Sequence, residues 1–193
     1  MNNFFRILTF TFVLSIQLVF AQTSPQNLWQ DVEQSQIVPV GERHIIPQVF
    51  RTLKLDVEGM QSFLSEAPLE FSDETRSKLV VLSLPMPDGS MQKFSIAESP
   101  IMEPELAVKY PEIKTYIGKG IDDPYASTRF DFTVHGFHAM ILSPNGNVFI
   151  DPYSLGDIEN YISYYTKDFT KTGVSFECEL IADAEKINEI EYL

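Results

Sequence analysis

The side chains in this chain best suited to hold a metal or move a proton near neutral pH are His44, His135, His138 and Cys178. His135 and His138 are three residues apart, a spacing that chelates a metal when both sit on one helix. The surrounding pattern is that of strands. Thr128, Phe130 and Phe132 alternate with Arg129, Asp131 and Thr133, and Phe137, Ala139 and Ile141 alternate with His138, Met140 and Leu142. His135-Gly136 therefore reads as a hairpin turn, and the two imidazoles are expected to point to different places and to serve the turn. A zinc site needs three or four ligands, and no H-E-x-x-H or third ligand at metallopeptidase spacing is present in the sequence. His44, ahead of Ile45-Ile46-Pro47, has no visible partner in the sequence.

Other chemistries find as little. Asp122-Asp123 and Asp151 carry the oxygens calcium prefers, but the D-x-[DN]-x-[DN]-G loop is missing and Asp122-Asp123-Pro124 is an ordinary turn. No serine stands in a G-x-S-x-G elbow. Gly118-Lys119-Gly120 is too short for a phosphate loop. A hydrolase dyad of Cys178 with a histidine has no local support, because Glu177 and Glu179 would raise the thiol pKa. Arg129 alternates with Asp131 on the face opposite the phenylalanines. The plain expectation there is a cross-strand ion pair, and the sharper one a contact to a partner domain. The residues thus predict no catalytic site, no bound cofactor and no metal held by this chain.

The elements that would position these residues are mostly strands. Leu79–Leu84 and Gln92–Ile96 flank Pro85-Met86-Pro87-Asp88-Gly89, which is turn chemistry, so they form a hairpin. Glu103–Lys109 reads as a short helix stopped by Pro111, and Ile113–Ile117 as extended chain. The segment around Thr128–Ile150 is a three-strand antiparallel meander, with Phe130, Phe132, Phe137 and Ile141 directed to a core. At Arg51–Ser65 a strand and a helix overlap: Leu53, Leu55 and Val57 share a side if extended, Val57, Met60 and Leu64 if helical. Thr23–Gln36 is either a short helix or a loosely held segment anchored by Leu28 and Trp29. Asp157–Tyr161 reads as a helical turn, Phe169–Gly173 as a linker, Ser175–Ile181 as a strand and Ala182–Tyr192 as a helix. The fold class predicted is α+β, an antiparallel sheet-rich single domain with a few short helices.

Met1–Ala21 has the export signature: Arg6 as the only charge, an apolar run from Ile7 to Phe20, and Val19-Phe20-Ala21 before the cut. Thr9, Thr11, Ser15 and Gln17 interrupt the run, which favours a cleaved signal over a membrane anchor. A secreted chain starting at Gln22 is expected, with no membrane attachment after cleavage. That part carries 13 basic against 27 acidic side chains, a balance of −14, and such a field repels nucleic acid and anionic lipid. Cys178 is the only cysteine, so the domain has to hold together by its core and not by disulfides.

Several short pieces recur in one order. They are Ala67-Pro68-Leu69-Glu70, Leu84-Pro85-Met86-Pro87-Asp88-Gly89, Glu98-Ser99-Pro100-Ile101-Met102, Pro104-Glu105-Leu106, Tyr110-Pro111-Glu112-Ile113-Lys114-Thr115-Tyr116, Gly136-Phe137-His138-Ala139-Met140-Ile141 and Ile150-Asp151-Pro152-Tyr153. Together, over roughly Arg51–Asp168, the chain resembles the amino-terminal prodomain of secreted bacterial reprolysin-like zinc metallopeptidases. The resemblance divides the chain into a signal peptide (1–21), a lead-in segment (22–50), a prodomain-like α+β domain (51–170) and a tail (171–193) leading toward a catalytic domain that these 193 residues do not include. It implies a non-catalytic prodomain that helps a zinc metallopeptidase fold and masks it. The partner is then that catalytic domain, joined in a longer precursor or met in trans, and the zinc is the partner's. Cys178 becomes a possible ligand to that zinc, a thiolate in the coordination position otherwise held by water. Phe176-Glu177-Cys178-Glu179-Leu180 departs from the Cys-Gly pattern of the related animal prodomains. The alternatives are a free-standing secreted binding module and a protease inhibitor acting in trans.

Overall fold

The computed structural model describes residues 27–169 except Glu74, Arg76 and Ser77. The signal segment, the elements expected over 175–192 and Cys178 lie outside the described residues. Nine strands make one sheet: β1 Trp29–Asp31, β2 Arg51–Leu55, β3 Val80–Pro85, β4 Met91–Glu98, β5 Lys114–Gly120, β6 Ser127–Thr133, β7 Gly136–Leu142, β8 Val148–Pro152 and β9 Asn160–Tyr165. Their order is β1-β2-β9-β8-β7-β6-β5-β4-β3, antiparallel throughout. β3 to β9 form an unbroken meander, and β2 and β1 are added beyond β9. Two α-helices among the described residues are α1 Val57–Leu64 and α2 Pro104–Lys109. The architecture is mostly β, compatible with the α+β class. Among the described residues no helix is long and apolar enough to cross a membrane.

The alternation read from the sequence fixes which face is inside. Leu53, Leu82, Leu84, Phe94, Phe137, Ile141, Val148, Ile150 and Tyr161 are all buried in one cluster to which every strand contributes. A single sheet collects one core only if it curls, and two sets of hydrogen bonds show where its halves meet. Ser163 Oγ on β9 donates to the Pro85 carbonyl at the end of β3, at 2.8 Å, and Arg51 Nη1 on β2 donates to the Met86 and Ser90 carbonyls of the β3–β4 turn. The sheet is thus a nearly closed barrel. The strand–helix overlap at Arg51–Ser65 resolves into both elements. Asp56 ends β2 and caps α1, its carboxylate accepting from Gly59 N, and α1 sends Met60 and Leu64 into the core.

Residues 32–50 cross the outer face of β8 and β9 as a strap. Val32, Ile37, Ile45 and Phe50 pack there with Tyr153, Ile162 and Tyr164. Val40 N and Gly41 N donate to Ser154 Oγ at 3.0 and 3.4 Å, Leu155 N donates to the Glu42 carbonyl, and the Arg43 guanidinium lies 4.0 Å over the Tyr153 ring. The strap explains one correction. Asp157–Tyr161 does not form a helical turn; Asn160–Tyr165 is a strand between β2 and β8. Tyr161 and Ser163 face the core while Ile162 and Tyr164 face the strap, so all four are buried and the usual polar alternation is absent. Leu28 and Trp29 do anchor the lead-in segment, Trp29 in β1 and Leu28 just before it, and not in a helix.

Candidate functional site

Two of the concavities on the outer surface hold the three histidines and part of Gly118-Lys119-Gly120. The first surrounds the histidines. Between β6 and β7 only Val134 and His135 make the turn, and Gly136 adopts φ 105°, a backbone that favours glycine. The chain reverses so sharply that His135 and His138 stay on the same side. The strap brings His44 to them, and all three line one depression of about 150 Å³ with Tyr153 and Ser154. This corrects the expectation that His135 and His138 point to different places. The signal was invisible in the local pattern because His44 arrives from residues 91 positions away.

A row of polar side chains crosses four neighbouring strands beside this depression. Asp131 on β6 stands opposite His138 on β7 in register. His138 Nδ1 lies 3.1 Å from Asp151 Oδ1 on β8, and the Tyr164 hydroxyl on β9 donates to Asp151 Oδ2 at 2.8 Å. The hydrogen bond to Asp151 holds the His138 pKa above its ordinary value; burial opposes this and the charges of Asp131 and Asp151 reinforce it. Burial raises the Asp131 carboxyl, with His138 drawing it back down. Burial also raises the Tyr164 hydroxyl, helped by the Asp151 charge. The row is therefore built to hold a proton on His138 between two carboxylates.

A His–Asp pair can act as a base only with a reacting group in reach. The serine hydroxyl that lines the depression, Ser154 Oγ, is buried and engaged by the strap amides, and Thr133 Oγ1 accepts from the His135 amide. Among the described residues no group of three or more His, Cys, Asp or Glu is placed to hold a metal ion. The other sequence-picked residues scatter. Asp122 Oδ2 accepts from Lys93 N, and Asp123 accepts from Tyr125 N and Ser143 Oγ, so both serve turns. Gly118-Lys119-Gly120 lies within β5. Arg129 has no ion-pair partner among the described residues, because Asp131, two residues on, faces His138 instead; the expected cross-strand pair does not form.

The second concavity, about 650 Å³, is larger and is also mainly apolar. Its floor is the outer face of β4–β6, with Ala97, Ile117 and Lys119, and its walls are Glu70–Ser72 with Thr75 and the turn at Pro124–Ala126. Each wall presents an aromatic ring to solvent: Phe71 is 92% and Tyr125 84% exposed. Phe71 is the one described non-glycine residue with positive φ, at 62°. Its strained backbone is held by Glu70 N donating to the Glu98 carbonyl at 2.7 Å and Ser72 N to the Leu69 carbonyl at 3.1 Å. Tyr125 is held by its amide on Asp123 Oδ1. Sequence reasoning missed this groove. Its only signal was aromatic residues beside turn residues, and its shape depends on Leu69 bridging in parallel to Glu98.

Comparison with known proteins found nothing: no family model, no curated protein and no solved structure matches the chain. The likeness to metallopeptidase prodomains rests on the residue series alone.

Proposed function

We propose that this chain is a secreted, non-catalytic prodomain that assists the folding of a zinc metallopeptidase domain and masks it. The observation that supports this reading is where the residue series falls. Ala67–Glu70 bridges onto β4, Leu84–Gly89 ends β3 and makes the β3–β4 turn, Pro104–Leu106 opens α2, Gly136–Ile141 lies in β7, and Ile150–Tyr153 ends β8. The series contributes strands and turns to the barrel and does not converge on one reacting centre. A long β surface suits templating and covering a neighbouring domain.

In this reading the partner carries the zinc, and Cys178 supplies a thiolate to the metal's open position, displacing the water that would attack a peptide bond. The test uses the chain from Gln22 to Leu193, added to a reprolysin-like catalytic domain and compared with Cys178→Ser. Inhibition by the first alone supports both the masking and the thiol. Equal inhibition keeps the masking and discards the thiol. Absence of binding by either overturns the reading. A free-standing secreted interaction module, or an inhibitor acting in trans, is the second reading, and the apolar groove with its two exposed rings favours it.

A further inference from the structure

The outer face of β4–β6 has a charge pattern at odds with the rest of the molecule. The chain carries a formal charge of −13, yet Lys93, Lys119 and Arg129 all point outward from three adjacent strands. Their neighbours Phe94, Gly118, Thr128 and Phe130 are buried on the inner face, which fixes this orientation. Ser95 pairs with Lys119, and Ile117 with Arg129. Lys93 and Arg129 are therefore the diagonal neighbours of Lys119 on either side, roughly 7–8 Å away along the sheet. The three form a continuous band. All are exposed, and none has an ion-pair or side-chain hydrogen-bond partner among the described residues, whereas Arg51, Lys54 and Lys114 are paired with carboxylates. Of the acids near this face, three are engaged elsewhere and one shares the groove with Lys119. Asp131 faces His138, Asp122 accepts from the Lys93 amide, Glu98 holds Lys114, and Glu70 lies in the groove wall.

Lys119 belongs to both features, the basic band and the floor of the apolar groove. We propose that this face docks an extended acidic segment of another protein, one apolar side chain lying between Phe71 and Tyr125 and flanking carboxylates meeting Lys119, Lys93 and Arg129. The groove's volume falls in the range of sites that enclose a ligand, roughly 300–1,000 Å³. Both walls are braced by backbone hydrogen bonds, so little ordering cost falls on binding. A membrane surface fits less well, because the floor is recessed between walls. The inference is independent of the prodomain reading, since it names the chemistry of the partner and not its activity.

The test is fluorescence anisotropy with a labelled peptide, Glu-Glu-Phe-Val-Glu-Glu, titrated with the chain from Gln22 onward at low ionic strength. Saturable binding is expected. It should weaken about tenfold or more with Lys119→Glu, and similarly with Phe71→Ser combined with Tyr125→Ser. The matching Lys-Lys-Phe-Val-Lys-Lys peptide should bind at least about tenfold more weakly than the acidic one. These side chains are exposed, so the variants should melt like the parent, and circular dichroism checks this. No saturable binding by folded protein overturns the proposal, as does equal affinity across the variants or for the two peptides. Binding to phosphatidylserine vesicles that Lys119→Glu abolishes, without peptide binding, would instead make the face a lipid contact.

Discussion

Tyr161 ties the core to the turns at one end of the barrel. Its ring is fully buried among Trp29 and Phe137, with centroids 5.4 and 6.4 Å away, and its hydroxyl accepts from Phe137 N at 3.0 Å and donates to the Ile158 carbonyl at 2.9 Å. Removing the oxygen leaves a buried amide without its acceptor, which costs about 1–3 kcal/mol. Tyr161→Phe should therefore lower the stability by that amount in urea unfolding while leaving the fold intact; an unchanged midpoint would show that the amide finds another acceptor. His138 makes a prediction of a different kind. Its folded pKa is raised above the ordinary 6.5, chiefly by the hydrogen bond to Asp151. Its contribution is thus fully present below about pH 6.5 and fades as the pH rises through the folded value. His138→Asn should cost about 0.5–1 kcal/mol in mild acid, the side chain being partly exposed, and less at pH 9. A penalty that grows with pH would contradict the assignment.

At the scale of elements, Arg51 latches the barrel together with Ser163. Arg51 on β2 forms a two-point bridge to Asp31 of β1, at 2.6 and 2.9 Å, and donates to the Met86 and Ser90 carbonyls at 3.1 and 2.9 Å. It thereby joins the last strand of the sheet to the β3–β4 turn across the seam. Arg51→Met keeps the aliphatic stem and removes the four hydrogen bonds. It should cost about 1.5–3 kcal/mol, and amide exchange should rise first in residues 29–31 and 86–90. Uniform loss of protection would mean the seam is held by the core alone. What the sequence showed of this architecture follows the same division between local and distant. β3 to β8 were legible because each has one buried and one exposed side, so residues such as Phe94 and Lys93 alternate. β9 was not, because the strap buries Ile162 and Tyr164 on its outer side. The histidine depression was not, because it joins His44 of the strap to the β6–β7 hairpin. The basic band was hidden too: Lys93, Lys119 and Arg129 become neighbours only through strand register.

For the whole molecule, the titrating groups combine into a stability curve with a definite shape. At neutral pH the charge of −13 makes the folded chain repel itself, and mild acid relieves that repulsion. His138 and Asp131 act in the same direction. Both have raised pKa values, so the folded state gains relative to the unfolded one as the pH falls toward each group's ordinary value. Further acid reverses the trend. Asp31 is held below the usual carboxylate value by its hydrogen bond to Arg51, and Asp88 by its hydrogen bonds to Ser90. The stability these two supply is present above the ordinary 3.8 and is lost as the pH falls through their folded values. Loss of Asp31's charge also loosens the Arg51 latch. The melting temperature of the chain from Gln22 onward should peak in the range of about pH 5–6 and fall on both sides. Added salt should raise it at pH 8, where screening acts on the surplus of carboxylates, and should do so less at the peak. A curve that climbs steadily to pH 8, or a melting temperature that salt lowers at that pH, would mean that specific ion pairs such as Lys54–Glu159 and Lys114–Glu98 outweigh the general repulsion.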